Sequence, residues 1–132
     1  MTANPLPSMD GTLMPRLGIE FVEATAERVE ATMPVEGNTQ PFGVLHGGAT
    51  AALCETVASV GGYLVAGEGR IALGVEINVN HLRSVTEGSI TAVATPLHIG
   101  RTTTVWDVRV TDDLQRQVAV SRVTLALRDA RR

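Results

Sequence analysis

The chain lacks lysine altogether and has one cysteine and few aromatic residues, Phe21, Phe42, Tyr63 and Trp106, among its 132 positions. All 11 basic residues are therefore arginine, set against 14 acidic ones for a net charge of −3. That balance, with no basic run before the terminal RDARR stretch, argues against general nucleic-acid binding. One cysteine, Cys54, permits no internal disulfide and points to a reducing compartment. The first residues, MTANPLPSMDG, lack the charged and apolar regions of a secretion signal, so the expected location is the cytoplasm. With so few rings, any aryl-binding pocket must be mostly aliphatic. No internal repeat or low-complexity tract is present. The length suits a single domain, residues 1–132, and 44% hydrophobic residues suffice for a real core.

The longest apolar run is Gly47–Ala66, close to the length of a membrane span. Glu55 stands at its centre, however, and glycine, alanine and serine dominate the rest, so it reads as a buried core helix with no membrane partner. Before it come an arm over residues 1–12, then two short alternating strands carrying Leu17, Ile19 and Phe21, and Val29, Ala31 and Met33. Residues 37–43 carry glycine, asparagine and proline and form a loop. After Gly67 the pattern is strand throughout. Ile71, Leu73, Val75, Ile77 and Val79 are expected on one face of a long strand continuing in phase to His81 and Arg83. Further strands are expected over 89–99, 102–111 and 117–128.

Two strands, one long helix and four strands make an α+β domain with an antiparallel sheet. A helix of small residues approaches a sheet closely enough for the sheet to wrap round it, which is the hotdog arrangement.

Four segments carry a family likeness: EATMPVEGNTQPFGVLHGG, the following helix with Glu55, GVEINVNHLRS and PLHIGRTTTVWDVRV. Together they resemble hotdog acyl-CoA thioesterases of the phenylacetate-pathway (PaaI) type, above all those acting on 1,4-dihydroxy-2-naphthoyl-CoA and those that proofread enterobactin synthesis. The resemblance implies hydrolysis of an acyl-CoA, with aryl-CoA favoured. It implies dimers, often paired into tetramers, with coenzyme A as part of the substrate and no separate cofactor. It also implies that the Gln40 amide meets the thioester or the water. Residues His81, Arg83 and Ser84, with His98, Gly100, Arg101, Thr102 and Thr103, would line the nucleotide and pantetheine path.

The chemistry can be built from the residues themselves. Thioester hydrolysis needs an activated water or nucleophile, and donors for the oxygen that gains negative charge. Amides at a helix N-terminus are such donors, and Gly47 and Gly48 let a carbonyl approach closely. Glu55 supplies a carboxylate, as general base or as nucleophile. Ser59, one turn later, can hold the water or the carboxylate. His46 precedes the helix and is read as positioning rather than proton-transferring. Arg83 and Arg101, each beside hydroxyl residues, suit phosphates. His46, His81 and His98 have no metal-ligand spacing, so no metal is expected.

Gly47 and Glu55 stand eight residues apart, about 12 Å along one helix. No single carbonyl can touch both, so the expected site pairs Gly47 of one subunit with Glu55 of another across a twofold axis. Alternatives are a hotdog hydratase or dehydratase and a non-catalytic acyl-CoA sensor. The first would place an acid where Gly48 stands, and the second would carry a DNA-binding helix pair that no segment offers.

Overall fold

The computed structural model describes residues 6–130; the first five positions of the expected arm and the last two of the arginine tail lie outside the described residues. In chain order the elements are α1 (Leu13–Leu17), β1 (Glu20–Ala24), β2 (Val29–Pro34), α2 (Gly47–Ala66), β3 (Arg70–His81), β4 (Ser89–Ile99), β5 (Thr103–Asp112) and β6 (Gln117–Asp129). The strands make one six-stranded antiparallel sheet in the order β1-β2-β4-β5-β6-β3. This is the hotdog arrangement, with α2 against the concave face.

Alternation dictates which side chains meet the helix. Met33, Ile90, Trp106, Val108 and Leu125 point inward and are fully buried, as are Leu53 and Val57 of α2. Each such burial contributes about 1.5–3 kcal/mol. Close approach depends on missing side chains. A Cβ on Gly61 would lie 2.5 Å from Trp106 Cη2, and one on Gly62 2.5 Å from Leu125 Cδ1. The Trp106 indole donates to the buried Thr104 hydroxyl at 3.0 Å, which satisfies both polar groups in the core. Although α2 has the length and composition of a membrane span, half of its most apolar stretch is buried inside the domain. It is a core helix.

Three sequence expectations need correcting. Leu17, expected in the first strand, ends the single-turn helix α1, because Gly18 at φ 76° takes the left-handed cap and donates to Pro15 O at 3.1 Å. The long strand does not keep one phase. A β-bulge between Gly74 and Glu76 adds a residue, so Ala72 and Gly74 pair with Leu127 and Leu125, whereas Ile77 and Val79 pair with Val123 and Ser121. Leu73 and Val75 are thereby left exposed, and the strand ends at His81 before reaching Arg83. Thirdly, α2 is not buried all round. Gly48 and Glu55 are exposed and Ala52 and Ser59 half-buried, forming an open stripe along the helix.

Candidate functional site

The N-terminus of α2 is built by its own cap. His46 has extended backbone at φ −69°, ψ 127°, and its Nδ1 accepts from the Gly48 amide at 2.8 Å. An accepting Nδ1 places the imidazole proton on Nε2. His46 thus caps the helix start with its ring. The same bond corrects the expectation for Gly48: its amide is already engaged and is not available to an oxyanion. The His46 carbonyl accepts from Ala49 and Thr50, while no described group accepts from the Gly47 amide. Gly47 therefore offers the free donor of this helix start.

That donor opens on a cavity of about 360 Å³ lined by residues that include Gln40, Leu45, Gly47, His81, Arg83 and Ser84. Loop, helix start and the end of β3 meet here because the Leu45 amide donates to Val85 O at 2.8 Å and the His46 amide to Asn38 O at 2.8 Å. The Gln40 Oε1 accepts from the Phe42 amide, so the side-chain NH₂ is the part free to donate to a ligand. The His81 ring lies over the helix start: a Cβ on Gly47 would sit 3.0 Å from its Nε2.

Glu55 is absent from this cavity. It lies eight residues along the same helix, about 12 Å away by rise. It is exposed, contrary to the buried setting expected for it, because the exposed stripe of α2 runs through it. Its carboxylate reaches over β3 at Gly74, in a small cleft with Val75, Glu76 and Ile77. On its other side it shares a cleft with Ser59, Leu13 and Met14. Glu55 and Ser59 are thus neighbours along one cleft.

Residues His98, Gly100, Arg101, Thr102 and Thr103 are not gathered with His81, Arg83 and Ser84 inside one chain. Arg101 and Thr102 line a separate open cavity with Arg70 and Arg128, where Arg70 Nη2 donates to Arg101 O at 3.0 Å. Arg70 and His81 are the two ends of β3, about 35 Å apart along the strand. His98 packs its ring over Gly100 and is exposed.

Cys54 is fully buried, and that burial pushes its thiol up to about 12, with the neighbouring Ser121 hydroxyl pulling the other way. It is a core thiol, not a nucleophile. Two residues escaped the sequence reading. Gly74 carried a usable signal, since an isolated glycine in a strand marks a bulge or close approach. Asn38, whose side chain donates to Leu17 O at 2.7 Å and Pro34 O at 2.8 Å, carried none, because its partners are backbone carbonyls, one of them 21 residues away in the chain.

Known proteins resemble this chain along most of its length. A family model described as Thioesterase superfamily matches residues 42–119. ComA2 of Bacillus subtilis is 52% identical over 121 residues, spanning 90% of this chain and 96% of that protein. The proofreading thioesterase EntH of Cronobacter turicensis is 44% identical over 118 residues, spanning 89% of this chain and 86% of that one. The crystal structure of a Haemophilus influenzae thioesterase superposes with a TM-score of 0.88 at 42% identity, covering 92% of this chain and 85% of that chain. A free amide at the start of a central helix, an exposed carboxylate further along it and a family match over more than half the sequence lead to one conclusion: this chain belongs to the thioesterase superfamily and is a thioester hydrolase.

Proposed function

We propose that the substrate is an acyl-CoA, with aryl-CoA favoured, and that each active site is shared between two subunits. The observation that carries this reading is the separation of Gly47 from Glu55 on a single helix. The free Gly47 amide takes the thioester oxygen, and Glu55 of the second subunit activates water or attacks the carbonyl carbon itself. His46 holds the helix start, Gln40 donates to the thioester, and Ser59 steadies the carboxylate or the water.

Two features support a twofold partner. Strand β3 is a sheet edge of 12 residues with exposed Leu73 and Val75, an open template for an antiparallel neighbour. The stripe of Gly48, Ala52, Glu55 and Ser59 is open and mostly small-sided, suited to a second α2 running the other way. Helix α2 runs antiparallel to β3, with Gly47 beside His81 and Gly62 beside Ala72. Antiparallel β3 pairing then reverses one helix against the other, carries Gly47 toward the partner's half of the site, and brings the Arg101 end of one chain toward the Arg83 end of the other. That would unite the two coenzyme A segments that one chain keeps apart. A further pairing of dimers into a tetramer, and a cytoplasmic setting in keeping with the single buried thiol, complete the proposal.

The test is thiol release from acetyl-, hexanoyl-, benzoyl-, phenylacetyl- and 1,4-dihydroxy-2-naphthoyl-CoA. Turnover is expected with at least one aryl thioester, and Glu55→Gln is expected to lower it by about 10²- to 10⁴-fold, the range for a lost general base. Tight binding with no turnover of any thioester would favour a sensor instead.

A further inference from the structure

Glu55 stands between two clefts of different character. The one toward β3, about 240 Å³, is bounded by Gly74, Val75, Glu76 and Ile77 at the open sheet edge. The other, about 200 Å³, lies between α1 and α2 and is bounded by Leu13, Met14, Ala52, Thr56 and Ser59 as well as Glu55. Beyond the carboxylate and the Ser59 hydroxyl its lining is essentially apolar, since the Thr56 hydroxyl is already committed to Ala52 O at 2.7 Å.

A single helical turn is not stable by itself, so the position of α1 must be imposed from outside. Two contacts impose it, and a further bond closes the turn at its own end. A Cβ on Gly18 would lie 2.8 Å from Pro34 Cγ and Cδ, so the end of α1 rests directly on the end of β2. The Ile19 amide donates to Met14 O at 3.0 Å. The largely buried Asn38 side chain joins Leu17 O to Pro34 O, and the backbone carbonyl of the same residue accepts from the His46 amide. One asparagine thus fixes both the α1 wall and the start of α2. Leu13 remains 53% exposed on this fixed turn, an apolar side chain held open beside the carboxylate.

The chemistry of the attacked carbon says what the cleft is for. That carbon carries an oxygen, a sulfur and an acyl carbon, and the three must diverge. Oxygen goes to the Gly47 amide, and sulfur leads to coenzyme A along the cavity with His81, Arg83 and Ser84. The acyl group needs a third direction that is apolar and still touches Glu55. We infer that Leu13 and Met14 form the wall that selects the acyl group, with Asn38 as the positioning residue behind them. The acyl class is an apolar body longer than acetyl, either an aryl ring or a medium alkyl chain. This rests on the acyl-CoA reading with Glu55 as the reacting carboxylate.

The experiment compares kcat/KM for acetyl-, hexanoyl- and benzoyl-CoA in wild type, Leu13→Trp, Leu13→Ser and Asn38→Ala. Leu13→Trp, which fills the cleft, is expected to lower the benzoyl-to-acetyl ratio by about tenfold or more, the scale set by one or two methylenes in an apolar pocket. Leu13→Ser removes apolar contact and should lower the hexanoyl-to-acetyl ratio. Asn38→Ala, assayed well below its Tm, should move the ratios in the same direction, which a loss of folded protein cannot do. Wild-type turnover with ratios unchanged within twofold in both Leu13 variants overturns this inference alone, as does an equal loss on all three substrates. Wild-type protein that turns over none of them overturns the hydrolysis of acyl-CoA and this inference with it.

Discussion

The carboxylate of Glu55 occupies the space that a side chain on Gly74 would fill: a Cβ built there sits 2.5 Å from Glu55 Oε2 and 3.1 Å from Glu55 Cδ. The bulge at the same place lifts β3 out of phase just where the carboxylate crosses it. Gly74→Ala is therefore expected to displace the acid without unfolding the sheet, because the obstructing group is the far end of a flexible, exposed side chain. A displacement of about 1 Å costs up to about 10²-fold in rate. Parallel kcat and thermal-melt measurements check this: a falling kcat with a retained Tm is the expected pattern, and an unchanged kcat would remove Glu55 from the reaction.

Mixing inactive variants tests the shared site. Glu55→Gln keeps a sound Gly47, whereas Gly47→Val places side-chain atoms against His81, whose Nε2 would be 3.0 Å from the new Cβ. A hybrid dimer holds one intact site and one doubly damaged site. Random exchange should restore about a quarter of wild-type activity, half the dimers each carrying half the sites. Hybrids verified by mass spectrometry that stay inactive would show that each chain works alone.

Cys54 should be inert. Its thiol, pushed up to about 12 by burial, stays protonated at pH 8, so iodoacetamide should fail to label the folded protein and label it readily in urea. Cys54→Ala should keep thioesterase activity, in contrast to Glu55→Gln.

Stability in acid should depend on Asp112. Burial raises its carboxyl, but the Arg116 and Leu114 amides and the Arg116 guanidinium, at 2.8 Å, outweigh that and hold it below the ordinary value of 3.8. A lowered folded-state value gives stability that is complete above the ordinary carboxylate range and is lost as pH falls through the lowered value. Urea midpoints between pH 2 and 7 should show this acid-side loss in wild type and a smaller one in Asp112→Asn.

Packing beneath the helix predicts the opposite of Gly74→Ala. Gly61→Ala puts a Cβ 2.5 Å from the fully buried Trp106 ring, which has no room to yield. The expected loss is about 1–3 kcal/mol from overpacking, read as a lower urea midpoint with activity per folded molecule retained.

Much of this was legible in the chain. The bounds of α2 and of the strand over 89–99 follow from local signals: small residues between a histidine cap and Gly67, and an alternating run between glycine turns. Gly47, Glu55 and their separation of about 12 Å on one helix were legible too, because rise per residue depends on nothing distant. The short α1 was not, since one turn has no periodicity to read. The phase change in β3 was missed for a similar reason, a bulge being a property of the pairing with β6 rather than of β3 itself.

By itself, then, the sequence determined the order of the six strands and the long helix, and the eight-residue spacing of Gly47 and Glu55 along that helix, all of which rest on patterns within a few residues. Only the tertiary structure decided that β3 lies at the edge, that Gly74 makes room for Glu55, and that Asn38 ties α1 over the acid. Those relationships join segments more than 18 residues apart, and no local pattern encodes which distant surfaces will meet.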